Sequence, residues 1–297
     1  MTALQLLGKP VAQQLRAETE TNVAALHQRG VLPGLAVVVA TDNEATLWYV
    51  RSIARAADKA GVRCTVVDLG AGAGADEIAS ALTLLSADED VHGIILQTPL
   101  PPGVAADELV AHISAAKDVD GANPLSLGRL TVGQQAFAPA TARAVVEILE
   151  HYEIPLAGRH VSVVGRSAVV GKPLLQLLLR RDATVTVCHS RSRPLERYTA
   201  EAEIVVAAVG RPGLVTGAHL RPGAVVVDVG TNVLDNGDLV GDVEPLSAAE
   251  VASALTPVPG GVGTVTTALL VLHTTQAALQ LTEEPASART LESGTPS

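Results

Sequence analysis

Aromatic side chains and cysteine are scarce in this chain of 297 residues. Aromatic residues make up 2% of the sequence, and there are two cysteines, one methionine and one tryptophan. Leucine, valine and alanine must therefore build the core. Cys64 and Cys188 lie in apolar, strand-like runs and have no metal-ligand spacing to other Cys or His residues. We expect two buried thiols in a reducing compartment and no bound metal.

Runs of Lys and Arg are also absent. The formal net charge is -10 and the sequence pI is about 5.2, so we expect no nucleic-acid partner. The N-terminus lacks a basic start followed by an apolar segment and a cleavage site. The longest apolar runs are interrupted by Gly, Pro or charged residues at less than the length of a membrane span. We therefore expect a cytoplasmic protein without membrane contact.

Short, β-branched apolar runs alternate with helical stretches along the sequence. Runs that are apolar on both faces, with helices between them, predict parallel β-sheets, so the fold class is α/β. The predicted strands are residues 35–40, 64–69, 93–97, 160–164, 184–188, 204–207 and 224–229.

The order of these elements predicts two domains. The first covers residues 1–147 and is completed by a C-terminal helix, residues 266–282. The second covers residues 148–265 and begins with a new strand–turn–helix unit. The polar, small-residue tail, residues 283–297, is predicted to be disordered.

The clearest single motif is the segment HVSVVGRSAVVGKP, residues 160–173. A strand ends at Gly165, a turn carries Arg166 and Ser167, and a helix begins near Gly171 and Pro173. Glycines allow the backbone to approach a pyrophosphate, and the helix N-terminus supplies N–H donors. The alternative is an ordinary strand–turn–helix, because the spacing differs from G-x-G-x-x-G.

The end of the next strand favours NADP over NAD. NAD-preferring folds place an acid there to bind the ribose hydroxyls, whereas this chain has Ser190, Arg191, Ser192 and Arg193. Hydroxyl and guanidinium donors suit a 2′-phosphate, and Arg166 adds a third cation. The alternative is a solvated basic turn.

Later strand ends carry small residues. Gly210, Gly230 and Thr231 follow two apolar strands. Ligands of doubly wound sheets lie across the carboxyl ends of the strands, so we expect these residues to border the cofactor.

Other segments indicate a substrate site. They are the helical segment with Tyr49, the strand end IILQTPLPP with Gln97, the segment KDVDG with Asp118 and Asp120, and the loop TPVPGGVG. Together with GRSAVVGKP, they resemble the bifunctional methylenetetrahydrofolate dehydrogenase/methenyltetrahydrofolate cyclohydrolase family. The resemblance runs from about residue 8 to residue 281.

The resemblance implies an N-terminal α/β folate domain, a central Rossmann-type NADP domain, a cleft between them and a homodimer. It implies hydride transfer from methylenetetrahydrofolate to NADP. It assigns Tyr49, Gln97 and Asp120 to catalysis, with Tyr49 against the folate and Asp120 on the pterin ring. It also assigns substrate contacts to four residues of the loop: Pro259, Gly260, Gly261 and Val262.

The chain departs from the family pattern on the folate side. The family has lysine four residues after the tyrosine, and Ile53 stands there. Hydride transfer needs orientation and a cofactor, but ring opening needs water addition and proton movement. We therefore expect that the cyclohydrolase activity is absent or weak. Further departures are Thr98, Ala122, Asn123, Ala140, Ala142, Thr264 and Val265.

Three alternatives remain at this stage. The first is an NADP-dependent paralogue that acts on a different methylene or imine substrate. The second is a fully bifunctional dehydrogenase and cyclohydrolase. The third is a dimeric binding paralogue without catalysis, which the intact nucleotide motif disfavours because an idle site has no need of its glycines.

Overall fold

The computed structural model describes residues 3–234 and 236–283, which fall into two compact units. Unit 1 contains the described residues of Met1–Leu15 and Leu125–Leu269, and unit 2 those of Arg16–Pro124 and Leu270–Ser297. The predicted disordered tail lies outside the described residues except for Glu283. The domain boundary that we place after residue 147 stays a prediction.

Unit 1 contains a six-stranded parallel sheet. Its strands are β1 (Leu4–Gln5), β5 (His160–Val164), β6 (Thr184–Cys188), β7 (Ile204–Ala207), β8 (Val225–Asp228) and β11 (Ala254–Leu255). The order across the sheet is β1-β11-β8-β7-β5-β6. A separate antiparallel hairpin pairs β9 (Asn232–Val233) with β10 (Leu239–Val240). The helices that accompany the sheet are α5 (Pro124–Thr131), α6 (Ala140–His151), α7 (Gly171–Leu179), α8 (Glu196–Thr199) and α9 (Pro245–Val251).

Unit 2 contains a three-stranded parallel sheet with the order β3-β2-β4. Its strands are β2 (Gly34–Val39), β3 (Arg63–Asp68) and β4 (Gly93–Leu96). The helices are α2 (Glu44–Lys59), α3 (Ala75–Ala87) and the short α4 (Ala106–Leu109). Two long helices, α1 (Gly8–Gln28) and α10 (Val262–Glu283), contribute residues to both units.

The apolar runs form strands, as predicted, but two of these strands are not buried on both faces. β3 and β6 lie at the edges of their sheets, and most of their residues are exposed or half-buried. Every residue of β2, β4, β7 and β8 is buried. Strands β2, β7 and β8 have a neighbouring strand on each side, whereas β4 ends its sheet and its outer side pairs with Asp118 through Ile94.

The bounds of β5, β6 and β7 agree with the prediction. β2 and β3 begin and end one residue earlier than predicted, β4 ends one residue earlier, and β8 is shorter by one residue at each end. The α/β class with parallel sheets is confirmed.

Two expectations from the sequence need correction. Helix α10 is long and apolar enough to cross a membrane by length and composition, contrary to our expectation, although 72% of its most apolar window is buried inside the structure. Such burial is typical of a core helix. Cys188 is buried but Cys64 is only half-buried on β3. Burial, and then the charge of Asp58, raises the pKa of Cys64 to about 11.

The start of β4 shows how tightly unit 2 is packed. A Cβ atom added to Gly93 would lie 2.7 Å from the Oγ1 atom of Thr274 on α10 and 2.9 Å from Cγ1 of Val119. Backbone N of the next residue, Ile94, donates to the Lys117 carbonyl over 2.8 Å. The absent side chain of Gly93 therefore lets α10 and the segment 117–123 approach the sheet.

We predict that Gly93→Ala lowers the free energy of unfolding by about 1–3 kcal/mol, because the added methyl group overpacks this contact. Urea denaturation with far-UV circular dichroism measures the change. Gly72→Ala is the matched control, since an added Cβ there meets nothing within 4 Å. Equal stabilities of the two variants would contradict this account of Gly93.

Candidate active site

Helix α2 carries the predicted substrate tyrosine. The side chain of Asn43 begins the helix by accepting a 3.0 Å hydrogen bond from the backbone N of Thr46. Tyr49 is half-buried, and Ile53, four residues later on the same helix face, is 0% exposed. Ile53 thus extends the buried stripe that includes Ala57. The position of the family's lysine is apolar and closed to water in this chain.

Gln97 stands at the carboxyl end of β4, as predicted. Its backbone N donates to the Val38 carbonyl over 2.9 Å, which extends the pairing of β4 with β2 by one residue. Its side-chain amide donates to the Thr98 carbonyl over 3.0 Å. The half-buried side chain is therefore oriented by the strand end and the residue that follows.

The two aspartates of KDVDG have different environments. Asp118 is 0% exposed, and its two carboxylate oxygens accept hydrogen bonds from the backbone N of Ala122 and of Asn123, each over 2.9 Å. Gly121 completes this turn with a φ of 68°. Asp118 therefore stabilises the turn, while the side chain of Asp120 is partly exposed.

The same turn is anchored on both sides. The Nζ atom of Lys117 donates to the Asp88 carbonyl over 2.6 Å, and Nδ1 of His273 lies 2.8 Å from the carbonyl oxygen of Val119. Both side chains are buried. The backbone that leads into Asp120 is thus held at Lys117 and at Val119.

The nucleotide loop of unit 1 follows β5. A Cβ atom on Gly165, whose φ is 131°, would lie 2.1 Å from the carbonyl oxygen of Ala208. A Cβ atom on Gly171 would lie 2.1 Å from the carbonyl oxygen of Gly165. The two glycines therefore bring the end of β5 against the end of β7, and the start of α7 against the turn. This explains why they are spaced six residues apart rather than as in G-x-G-x-x-G.

The turn between these glycines presents polar groups to solvent. Arg166 and Ser167 are exposed, and the Oγ atom of Ser167 accepts a 3.1 Å hydrogen bond from the backbone N of Val170. Pro173 is buried in the first turn of α7, where a missing N–H costs nothing. This nine-residue helix begins at the position where the sequence predicts that a pyrophosphate binds.

The loop after β6 is held by its own hydrogen bonds. The Oγ atom of Ser192 accepts from the backbone N of His189 over 3.1 Å, and Nδ1 of His189 accepts from the backbone N of Arg191 over 3.2 Å. Ser190 and Arg191 are exposed on this turn. Since β6 is the parallel neighbour of β5, both loops lie at the same edge of the sheet.

The loops after β7 and β8 depend on two buried carboxylates. Asp228 ends β8 and accepts hydrogen bonds from the backbone N of Gly230, Asp242 and Val243, each over 2.9 Å. Asp242 in turn accepts from the backbone N of Gly210 over 3.0 Å. The exposed Gly210 and the buried Gly230 are therefore fixed through these aspartates, and Thr231 next to Gly230 is exposed.

Burial, acting against these N–H donors, sets the protonation of Asp228. Loss of solvent raises the pKa of Asp228, and the charge of Asp242 raises it further. The three backbone N–H groups lower it, and the balance brings the pKa to about 6. The carboxylate therefore titrates close to neutral pH.

The loop TPVPGGVG leads into α10. The backbone N of Gly8 donates to the Gly260 carbonyl over 2.8 Å, and a Cβ atom on Gly8 would lie 2.1 Å from the carbonyl oxygen of Gly261. Pro259 and Gly260 are exposed, whereas Gly261 and Val262 are buried. The first two are thus accessible to a ligand, and the last two fix the start of the helix.

The predicted site residues divide between the two units. Tyr49, Gln97 and Asp120 belong to unit 2 and the nucleotide residues to unit 1. The sequence interpretation missed Asp228 and Asp242 as positioning residues. The signal was the aspartate of DVG and that of VGDVE, each directly after an apolar run. Across the described residues, no group of three or more His, Cys, Asp and Glu is arranged to hold a metal ion.

Family models match both parts of the chain. Residues 6–120 match the tetrahydrofolate dehydrogenase/cyclohydrolase catalytic domain, and residues 139–282 match the NAD(P)-binding domain of the same family. The predicted NADP cofactor agrees with the second match.

Similar proteins cover nearly the full length. The chain is 63% identical over 280 residues to bifunctional protein FolD 1 of Paenarthrobacter aurescens, covering 94% of this chain and 95% of that protein. It is 60% identical over 278 residues to bifunctional protein FolD of Arthrobacter globiformis, with coverages of 94% and 95%.

Solved structures of FolD enzymes also match nearly the whole chain. The bifunctional FolD methylenetetrahydrofolate dehydrogenase/cyclohydrolase of Campylobacter jejuni superposes with a TM-score of 0.90 at 35% identity, covering 94% of this chain and 99% of that one. FolD of Trypanosoma brucei, solved with NADP and an inhibitor, has a TM-score of 0.90 at 34% identity and coverages of 96% and 100%. The chain thus belongs to the tetrahydrofolate dehydrogenase/cyclohydrolase family, as its motifs indicate.

Proposed function

We propose that this chain is an NADP-dependent methylenetetrahydrofolate dehydrogenase. The observation that carries the proposal is the intact nucleotide loop, in which the packing of Gly165 and Gly171 leaves Arg166 and Ser167 exposed at the N-terminus of α7. When bound, NADP supplies the acceptor for a hydride from the methylene carbon, which leaves a methenyl cation delocalised over two nitrogens. The residues of the chain hold and orient the reactants, since this step releases no proton.

Turnover with methylenetetrahydrofolate and NADP, followed at the absorbance of NADPH, tests this function. NADPH fluorescence titration separates a binding protein from one that does not bind the cofactor. Binding without turnover would favour the paralogue with another methylene or imine substrate, or the non-catalytic paralogue. We also propose a homodimeric, cytoplasmic enzyme, and analytical ultracentrifugation measures the first of these properties.

The preference for NADP rests on the loops after β5 and β6. Arg166, Ser190 and Arg191 are exposed at one edge of the sheet, and no carboxylate occupies the end of β6. A 2′-phosphate would accept hydrogen bonds from guanidinium and hydroxyl groups there, whereas an acidic residue would repel it.

We expect Arg166→Ala to cost about 1.5–3 kcal/mol in kcat/KM for NADP, the range for a hydrogen bond to a charged group, with little effect on NAD. Steady-state kinetics with both cofactors measures the change. Arg221→Ala is the control, because this exposed arginine precedes β8 at the opposite end of the strands. Equal efficiency with NADP and NAD in the unmodified protein would refute the assignment.

Asp120 is the proposed anchor of the pterin ring. Both carboxylate oxygens of nearby Asp118 accept hydrogen bonds from the backbone of the turn. Asp120 is partly exposed, and Lys117 and His273 hold the backbone that leads into it. A carboxylate accepts two parallel hydrogen bonds from an aminopyrimidinone edge. Tyr49 would offer a stacking face, and Gln97 a polar group with a fixed orientation.

Asp120→Asn is expected to raise KM for methylenetetrahydrofolate at least about tenfold, because an amide presents a donor where an acceptor is needed. The Kd for NADPH should stay unchanged. Asp107→Asn, at an exposed position on α4, is the control. A parallel loss of both affinities would show that Asp120 is structural.

We further propose that the cyclohydrolase step is weak in this chain. Lys59 and Lys117 are the lysines of unit 2. Lys59 lies ten residues after Tyr49 on α2, which is about 15 Å along the helix. The Nζ atom of Lys117 donates to the Asp88 carbonyl. Neither amine replaces the lysine whose position Ile53 fills.

The second candidate function is the full bifunctional reaction. The relatives at 63% and 60% identity are named bifunctional proteins, which favours this candidate. A group other than a lysine four residues after Tyr49 would then have to assist water addition.

The decay of methenyltetrahydrofolate absorbance with and without enzyme separates these two candidates. We expect hydrolysis at least about 100-fold slower than the dehydrogenase turnover, since acid–base assistance contributes roughly 10²–10⁴-fold. Enzyme-dependent decay at a rate similar to dehydrogenase turnover would establish the bifunctional candidate instead. Ile53→Val is the matched control, because it preserves an apolar side chain and should leave both rates unchanged within about twofold.

A further inference from the structure

Asp242 has four hydrogen-bond donors around one buried carboxylate. Its Oδ2 atom accepts from the backbone N of Val209 over 2.6 Å and of Gly210 over 3.0 Å. Its Oδ1 atom accepts from the backbone N of Arg211 over 2.8 Å and from Nδ2 of Asn232 over 2.9 Å. The residue is 0% exposed. Such a set of donors compensates for the burial of the charge.

The backbone of Asp242 is itself fixed. Its N–H donates to Oδ1 of Asp228 over 2.9 Å, and its carbonyl accepts from the backbone N of Val215 over 3.0 Å. A Cβ atom on Gly230 would lie 2.5 Å from the carboxylate carbon of Asp242. One side chain therefore contacts both the loop after β7 and the loop after β8.

These two loops belong to one half of the nucleotide-binding sheet. In doubly wound folds the two mononucleotide halves bind the two ends of a dinucleotide. On the proposed function, the half β5–α7–β6 binds the 2′-phosphate and therefore the adenosine end. The remaining half, with β7 and β8, is left for the nicotinamide end.

We infer that Asp242 is a positioning residue for the nicotinamide end of NADP, acting through the loop 209–211 and through Asn232. The inference rests on the proposed function. The exposed Gly210 has a φ of 66°, a region that glycine enters freely. Its backbone conformation therefore depends on the hydrogen bonds that the loop makes with other residues. Asp242 supplies that restraint by accepting three consecutive backbone N–H groups.

The test is Asp242→Asn, which keeps the shape but turns an amide NH₂ toward one pair of N–H donors. We expect the Kd for NADPH and KM for NADP to rise at least about fivefold, because a charge-assisted acceptor is replaced by a donor. The ratio of kcat/KM for NADP to that for NAD should stay unchanged, since the 2′-phosphate contacts are not involved. Arg166→Ala should instead lower this ratio, because it removes a 2′-phosphate contact.

The matched control is Asp238→Asn. Asp238 is exposed, precedes β10 and accepts a 2.7 Å hydrogen bond from Nδ2 of Asn236, so the variant removes a carboxylate charge without altering the loops after β7 and β8. We expect its cofactor affinity and selectivity to equal those of the unmodified protein. A control that weakens binding as much as Asp242→Asn would overturn the inference, because a general loss of charge would then explain both.

A second variant covers the case in which Asp242→Asn does not fold. Asn232→Leu removes the side-chain donor to Asp242, together with a longer 3.4 Å hydrogen bond to the Val240 carbonyl, and should raise the Kd for NADPH about twofold or more in a protein that still folds. The inference is overturned if the folded variants bind NADPH normally, or if the ratio of NADP to NAD efficiency shifts. Unmodified protein that binds NADPH but lacks turnover contradicts the proposed function alone, and the binding measurements still decide the role of Asp242.

Discussion

The candidate site depends on one kind of interaction, the hydrogen bond from a backbone N–H group to a buried aspartate carboxylate. Parallel strands that end at one edge leave loops whose N–H groups need acceptors when they are covered. In unit 1, Asp228 and Asp242 satisfy the loops after β7 and β8. In unit 2, Asp118 does the same for the turn that presents Asp120. These buried carboxylates are occupied with backbone N–H groups and fix the loops. Several of the residues proposed to bind ligands lie on those loops.

One carboxylate in unit 1, that of Asp228, also couples the loops to pH. Asp228 has an ordinary pKa of 3.8, and burial raises it to about 6 in the folded protein. Because the folded-state value is the higher one, the neutral form of Asp228 stabilises the fold. That contribution is complete below about pH 4 and is lost as the pH rises through about 6. At neutral pH the charged Asp228 is kept in place by the N–H groups of Gly230, Asp242 and Val243.

The sequence predicts the strands well and the loop contacts poorly, for a physical reason. A strand buried on both faces is a largely apolar run, so β5 and β7 are visible in the sequence. The edge strand β6 is visible because most of its residues are β-branched. The acceptor for the N–H of Gly210 is Asp242, which lies 32 residues later and has no periodic relation to it. The sequence likewise shows Asp118 and Asp120 as two similar aspartates of one motif. Only the hydrogen bonds of the turn show that Asp118 has a structural role there, while Asp120 is partly exposed.

Ile53 shows how one position separates two kinds of chemistry. It lies on the buried face of α2 with Val50 and Ala57, so an isoleucine adds to the core there instead of leaving an unfilled space. A lysine at a fully buried position would have to be desolvated, which lowers the pKa of the amine and costs stability. Hydride transfer depends on how the reactants are held, and in the proposed site the loops and Asp120 would hold them. Water addition depends on a group that moves protons, which an isoleucine lacks. On the proposed function, the isoleucine therefore affects the hydrolytic step and leaves in place the elements that would orient a hydride donor.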